Sequence, residues 1–456
     1  MEPLSISKVA AVIGASSACS SEKAITGVSF DSRSLRPGDL FFALAGEKAD
    51  GHRFVAEAFR KGAAGSVVRS EVEGASGPQL IVADPLKALG QLATWYRRRY
   101  NIPVVAVTGS VGKTTTKELI GLILSESWGS ICISEQNYNT EIGVPMALLS
   151  LNDHHRAGVF ELAMRGPGQI RELTEMVKPD VGVITNIGLS HVELLATPEA
   201  IAAAKGELLT GLKSEATAVL PADDRFYPFL KVLCRCKTLS FGLSDGAAIQ
   251  ATDIKLDENG RPSFICDGHS VRMNVAGRHQ IANALAALGV AYALNIPFEV
   301  AAIGISKHRP GHHRGAVMRA SRGFEVIDDV YNASPASMEA ALRTMAACPR
   351  PGGGRKIAVL GDMKELGGYA EESHLQVGEL TSKVGVDLLI AVGELAKWIA
   401  EGAAVSGMPS GRIVQMSDSM EAAQQLPSIV QPGDLVLVKG SRAMAMEKIV
   451  EALLAD

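Results

Sequence analysis

At 456 residues the chain exceeds what one ordinary hydrophobic core supports, so two or three domains are expected. A hydrophobic fraction of 47% and a charged fraction of 21% belong to a soluble globular protein, and no apolar run approaches the roughly 18 residues of a membrane-spanning helix. With 45 basic against 49 acidic residues the net charge is −4, which excludes a generally basic, nucleic-acid-coating chain.

The N-terminal stretch carries Glu2 and no basic region ahead of a long apolar run, so no secretory signal is expected. The first segment runs to Arg98 and closes with a predicted helix, Leu86–Tyr96, followed by the basic run Arg97-Arg98-Arg99. Asn101-Ile102-Pro103 reads as a linker. The strand Val104–Val107 then opens a second domain, with further strands predicted at Gly158–Leu162, Val181–Thr185 and Ala216–Leu220. The turn Asp257-Glu258-Asn259-Gly260 within residues 249–275 predicts an antiparallel hairpin. A helix is predicted over Gln280–Leu294. A third domain begins near Ala316, with strands at Phe324–Asp328, Lys356–Leu360, Leu388–Val392 and Leu435–Val438, and a surface loop at 349–354. Strands alternating with helical patterns give an α/β protein with mostly parallel sheets. The expected division is 1–98, 99–315 and 316–456. The six cysteines are scattered, and Cys234-x-Cys236 lacks metal or redox spacing, so free thiols in a reducing cytoplasm are expected.

The chemistry concentrates after the strand Val104–Val107. Gly109-Ser110-Val111-Gly112-Lys113-Thr114-Thr115 runs from a strand into a helix, where backbone N–H groups and the helix dipole face an anion. Lys113 adds a cation, and the Thr114 hydroxyl suits Mg²⁺. The loop is shortened: the first glycine of a standard P-loop would fall at Val107. Glu161, at a strand end, is either a Mg²⁺ ligand or an exposed acid. His191, after the next strand, is a ligand or a structural histidine. Lys205, on an apolar helix face, is a snorkelling residue or a functional buried one. Residues 277–288, 331–338, 360–367 and 439–450 each supply a glycine-rich or polar loop, three of them following strands, where open α/β sheets bind ligands.

Together these motifs resemble the Mur ligase family, ATP-dependent amide-forming enzymes of peptidoglycan synthesis, over essentially the whole chain. Within it, "DDVYNASPASM", "LGDMKELG" and "KGSRAMAMEKIV" are similar to the branch that joins D-alanyl-D-alanine to UDP-N-acetylmuramoyl-tripeptide, and the D-N-P-R motif of the diaminopimelate-adding branch is absent. The resemblance implies a small α/β N-terminal domain, a P-loop-type ATPase domain with a mostly parallel sheet, and a Rossmann-like C-terminal domain. It implies that Asp31, Ser32, Arg33, Asp50, Gly51 and His52 hold the UDP-sugar, and that Asn137, Asn139 and Thr140 meet substrate. Gly109 to Thr115 would bind ATP phosphates, Asn283 adenine, and Arg314 the γ-phosphate. Asp329, Tyr331 and Asn332 would contact the nucleotide from the third domain, and Lys439, Ser441 and Arg442 the substrate. Thr114, Glu161, His191 and a carbamylated Lys205 would ligate two Mg²⁺, with Lys113, Lys205, His191 and Arg314 catalytic. A cytoplasmic monomer is implied, with no nucleic-acid partner. Folylpolyglutamate synthetase shares the ATPase but lacks the N-terminal segment. A GTPase-like switch would need an N-K-x-D loop, which is missing. Another amino-acid-adding Mur ligase is the nearest alternative.

Overall fold

The computed structural model describes every residue except 17–22, 47–48, 136–137, 190–191, 350–352 and 456. At the N-terminus β1 (Leu4–Ser5) and β2 (Ala24–Ile25) pair antiparallel. A parallel sheet follows, in the order β3 (Gly27–Ser29), β4 (Asp39–Phe42), β5 (Gly65–Val68) and β6 (Gln79–Ile81). The helix Pro85–Arg97 starts where Asp84 accepts from the Leu86 and Lys87 N–H groups and Pro85 fills the first turn, a strong start signal. Its Leu89, Leu92 and Tyr96 are fully buried, each leucine contributing about 1.5–3 kcal/mol. The Tyr96 hydroxyl donates to the Leu151 carbonyl and the Arg97 Nε to the Val177 carbonyl, so this helix is welded to the next domain.

The second domain holds a seven-stranded parallel sheet. Its strands are β7 (Val104–Thr108), β8 (Ile131–Ile133), β9 (Ala157–Glu161), β10 (Val181–Ile184), β11 (Thr217–Pro221), β12 (Lys237–Gly242) and β13 (Ile249–Gln250), in the spatial order 13-12-11-10-7-9-8. Alternate residues of β7 feed two cores: Val104 and Ala106 join one cluster, Val105 and Val107 the other. A strand buried on both faces reads as a continuous apolar run, which is why Val107 replaces the expected glycine. Beside β7 lie β9 on one side and β10 on the other, so the carboxyl ends of β7, β9 and β10 flank a crevice. The hairpin expected over 249–275 is instead a three-stranded antiparallel sheet, β14 (Thr252–Leu256), β15 (Pro262–Cys266) and β16 (His269–Arg272), the second turn being made by Asp267-Gly268.

The third domain orders its strands β17 (Ala316–Arg319), β18 (Glu325–Asp328), β22 (Leu435–Lys439), β19 (Lys356–Gly361), β20 (Leu388–Val392) and β21 (Ile413–Met416). All pair parallel except β17, an antiparallel edge. The carboxyl ends of β18, β22 and β19 are adjacent, so their three polar loops form one wall. Contacts between the third domain and the second include two at opposite sides of the cleft. The Glu193 N–H donates to the Glu365 carbonyl at 3.2 Å. Across the cleft, the Cys348 thiol lies 3.9 Å from the Asn259 carbonyl, at the turn between β14 and β15. The fold is the α/β class expected from the strand–helix alternation, with the central sheet wholly parallel. Among the described residues no helix is long and apolar enough to cross a membrane.

Candidate active site

The loop after β7 is held by its neighbour. The Val111 N–H donates to Asn186 Oδ1 at 3.0 Å, and Asn186 Nδ2 donates back to the Val111 carbonyl at 2.8 Å. The Thr185 hydroxyl donates to the same carbonyl at 2.6 Å, and the Ser110 N–H to the Asn186 carbonyl. The glycines are required by space as well as by backbone angle. Gly109 stands at φ +148°, and a Cβ there would lie 1.9 Å from Thr185 Oγ1; Gly112 stands at φ +85°, and its Cβ would lie 2.3 Å from Asn283 Oδ1. The helix Lys113–Trp128 begins here, pointing its positive end at the crevice. Lys113 Nζ donates to the Gly109 and Ser110 carbonyls at 2.8 and 3.2 Å, bridging the loop from above.

Glu161 ends β9 beside this helix. Its carboxylate accepts from the Thr114 hydroxyl at 2.8 Å and from Asn139 Nδ2 at 2.9 Å. Asn139 is placed by its carbonyl, which accepts from the Ala163 N–H. Beneath the loop, Lys205 is 1% exposed and its Nζ donates to the Gly109 carbonyl at 2.9 Å. Burial, with the Lys113 ammonium nearby, holds this amine well below the ordinary lysine range. No group of three or more His, Cys, Asp or Glu side chains able to hold a metal occurs among the described residues. Beside the loop the Thr114 hydroxyl and the Glu161 carboxylate each offer a cation an oxygen ligand.

The opposite wall belongs to the third domain and to the junction that leads into it. The Arg314 guanidinium stacks 3.8 Å above the Tyr331 ring, and its buried Nε has no hydrogen-bond partner among the described residues. Lys439, 2% exposed, donates to Asp329 Oδ2 at 2.7 Å and to the Asn332 carbonyl at 2.9 Å. Ser441 accepts from the Lys364 N–H, and Arg442 pairs with Glu447 at 3.3 Å. Between the walls lies a cleft of about 700 Å³. Ser110 to Thr115, Asn139, Thr140, Glu161, Asn283, Arg314, Asp329, Tyr331, Asn332, Lys439, Ser441 and Arg442 all line it, so residues up to 332 positions apart meet in one place. Gly109 and Lys205 sit just behind the lining.

The first-domain group gathers separately and does not line the cleft. Asp31 pairs with Arg33 at 2.6 Å, and that guanidinium holds its carboxyl down to about 2. Ser32 is buried, its carbonyl accepting from Lys61 Nζ. Asp50 accepts from the His52 N–H and from His52 Nδ1, while His52 Nε2 accepts from the Arg69 N–H, which fixes the ring as the Nδ1–H tautomer. Gly51 approaches the backbone so closely that a Cβ would meet the Leu44 nitrogen and oxygen at 2.7 Å. Asn137 and His191 lie outside the described residues. The sequence reasoning missed Thr185, Asn186 and Glu365. A polar Thr-Asn pair directly after the apolar strand β10, next to the phosphate loop, was the available signal for the first two.

Three family descriptions match along the chain: Mur ligase family, catalytic domain, over residues 24–97; Mur ligase middle domain, over 107–291; and Mur ligase, glutamate ligase domain, over 313–442. The chain is 38% identical over 437 residues to UDP-N-acetylmuramoyl-tripeptide–D-alanyl-D-alanine ligase of Synechocystis, spanning 95% of this chain and 92% of that protein. Its identity to the same ligase of Bacillus subtilis is 34%, spanning 94% and 93%. MurF from Acinetobacter baumannii superposes with a TM-score of 0.90 at 31% identity, covering 100% of this chain and 99% of that one. MurF ligase from Thermotoga maritima, solved in complex with ADP, gives 0.81 at 30% identity, covering 94% and 96%.

Proposed function

The chain belongs to the Mur ligase family, and from that premise we infer that it is the ATP-dependent ligase that joins D-alanyl-D-alanine to UDP-N-acetylmuramoyl-tripeptide in peptidoglycan precursor synthesis. The observation that carries this is the cleft itself: a phosphate loop from one domain faces a basic, peptide-sized wall from another. Likeness to the ADP-holding enzyme supports ATP as the nucleotide.

The chemistry follows from the leaving group. A carboxylate gives up hydroxide too reluctantly to react with an amine, so ATP first phosphorylates it. The amine then attacks the acyl phosphate, and phosphate departs. Two anions must be brought together, and Lys113 on one wall and Arg314 on the other carry the opposing charge. Arg314 is suited to reach a γ-phosphate because it lines the cleft opposite the phosphate loop. Asn283, under Gly112, stands where a base attached to a loop-bound phosphate chain would lie, and Tyr331 and Asn332 face it from the third domain. Lys439 is held rigid by Asp329, and Ser441 and Arg442 complete the substrate wall.

Thr114 and Glu161 fit Mg²⁺: both present oxygen to the same point, and a magnesium ion commonly takes one or two protein oxygens plus phosphate and water. When bound, it would neutralise phosphate charge. We place His191 in the same set on the strength of the resemblance. Lys205 suits carbamylation, because a buried amine held neutral adds CO₂ and becomes an anionic oxygen ligand. Residues 1–98 then serve as the UDP-sugar domain, through Asp31, Ser32, Arg33, Asp50, Gly51 and His52. Residues 99–315 serve as the ATP domain, with Asn139 and Thr140 toward the peptide, and 316–456 as the ligase domain. The natural setting is a cytoplasmic monomer with no nucleic-acid partner.

The test is phosphate release from ATP with each UDP-muramoyl-peptide and either D-alanyl-D-alanine or single amino acids. Turnover with tripeptide and dipeptide is expected. Turnover only with a single amino acid would move the chain to another branch.

A further inference from the structure

From the second domain to the third the chain runs His308-Arg309-Pro310-Gly311-His312-His313-Arg314-Gly315, and two histidines clasp it to opposite bodies. His308, 4% exposed, donates from Nε2 to Glu118 Oε2 at 3.2 Å, and Glu118 stands on the helix that begins at the phosphate loop. Arg309 Nη1 donates to the Ser306 and His308 carbonyls and stays on that side. His313 donates from Nδ1 to Asp328 Oδ2 at 2.8 Å, and Asp328, 3% exposed, ends β18 of the third domain. The span between the two anchored ends is Pro310 to His312. Arg314 lies beyond it, with the third domain.

The backbone agrees. The Tyr331 N–H donates to the His313 carbonyl at 3.1 Å, and the Gly315 N–H to the Asp328 carbonyl at 2.8 Å. These bonds flank Arg314 and tie its Cα to the end of β18. The guanidinium stacks on Tyr331 of the same domain, while its buried Nε makes no hydrogen bond among the described residues. Its aim depends, then, on the backbone that carries it. That backbone is held in a costly form: His313 stands at φ +59°, the left-handed region that a side chain enters only where its surroundings compensate. The compensation is the ring's bond to Asp328, since the turn alone would suit glycine better. Strain kept one residue before an arginine that lines the cleft points to use.

We propose that His313, clasped by Asp328, is a positioning residue that locks Arg314 to the third domain, so that closure of the domains carries the guanidinium to the γ-phosphate. This rests on the reading of the chain as an ATP-dependent ligase whose Arg314 meets that phosphate. The step served is transfer of the γ-phosphoryl group to the substrate carboxylate, one P–O bond forming as another breaks and ADP leaves. His313 touches neither nucleotide nor peptide and takes no proton in that step. It acts only through the arginine, so ADP, which lacks the γ-phosphate, should be indifferent to it.

The experiment takes His313→Gly and Asp328→Leu, each alone and each combined with Arg314→Ala. Acyl phosphate made from ATP and UDP-muramoyl-tripeptide is trapped by hydroxylamine as hydroxamate, ADP affinity is read by calorimetry, and melting is followed alongside. Each clasp variant is expected to slow hydroxamate formation about tenfold or more while the Kd for ADP stays within about twofold. In the Arg314→Ala background the same substitutions should cost less than about twofold more, because nothing is left to position. His313→Gly should melt close to the wild type or above it, since glycine removes the strain. Normal hydroxamate formation in either clasp variant would overturn the proposal. So would losses that add in full to that of Arg314→Ala, or a collapse of the His313→Gly melting temperature, which would make the clasp a purely structural one. An Arg314→Ala variant as fast as the wild type would remove the γ-phosphate role and the positioning with it, whereas a wild type that forms no hydroxamate would overturn the ligase reading itself.

Discussion

Lys113 bridges two carbonyls of its own loop and is buried in no apolar core, so its removal should not damage the fold. Lys113→Ala is expected to lower ligation by at least about a hundredfold with little change in melting temperature. Near-normal turnover would mean the phosphate lies elsewhere. Gly112→Ala should be worse for folding than for charge, since the added methyl meets Asn283 Oδ1. Lys205→Ala should lose most activity, and short carboxylic acids should restore part of it by standing in for the carbamate. No rescue at any acid concentration would argue for a metal site built without Lys205. These residues were legible in the sequence because a phosphate loop must combine glycine, lysine and threonine at fixed spacing. Asn186 was not, because it acts on backbone. Its amide reads the Val111 peptide with both atoms, a task whose trace is a Thr-Asn pair after β10 rather than a spaced motif. Asn186→Ala should accordingly raise the KM for ATP and leave the dipeptide KM near its starting value.

Among the elements, strands buried on both faces were easiest to foresee, since β7, β9, β10 and β11 read as unbroken apolar runs. The sheet over 252–272 was harder. The strand β14 is mostly exposed and weakly patterned, and the turn at Asp257–Gly260 draws the eye past the second, at Asp267-Gly268. The edge strand β17 escaped for the same reason, with half its residues exposed. The turn that carries Lys364 and Glu365 hangs on a histidine that no motif announced. His374, fully buried, accepts the Met363 N–H at Nε2 and donates from Nδ1 to the Ala370 carbonyl. Burial lowers its pKa below the ordinary 6.5. The folded state therefore binds fewer protons here than the unfolded chain between the two values, and stability falls as pH drops below about 6.5 until the folded value is passed. The melting temperature should decline between pH 7 and pH 5, and His374→Gln should make that decline shallower. An equally steep decline in the variant would place the acid sensitivity elsewhere.

At the scale of the whole molecule, the three parts are less separable than the linker Asn101-Ile102-Pro103 suggests. Tyr96 and Arg97 donate into carbonyls of the second domain, and one apolar cluster runs through all three parts. A chain beginning at Ile102 would expose that cluster, so it is expected to aggregate rather than to bind ATP alone. The role of the first domain is better tested in the intact protein. Asp50→Ala frees the His52 ring and should weaken UDP-muramoyl-peptide binding while ATP affinity stays within about twofold.

The contact between Cys348 and Asn259 gives the molecule a chemical clock. The buried thiol lies where the third domain rests against the turn between β14 and β15. Burial also pushes its pKa up, so it is a poor nucleophile in place. An opening of the cleft is expected to uncover it, so the rate at which an alkylating reagent marks Cys348, read by peptide mass against the partly exposed Cys234 and Cys236, should count such openings. A substrate that holds the domains together should slow the mark on Cys348 and leave the other two unchanged, so a side chain with no part in the chemistry reports how often the enzyme exchanges its contents with solvent.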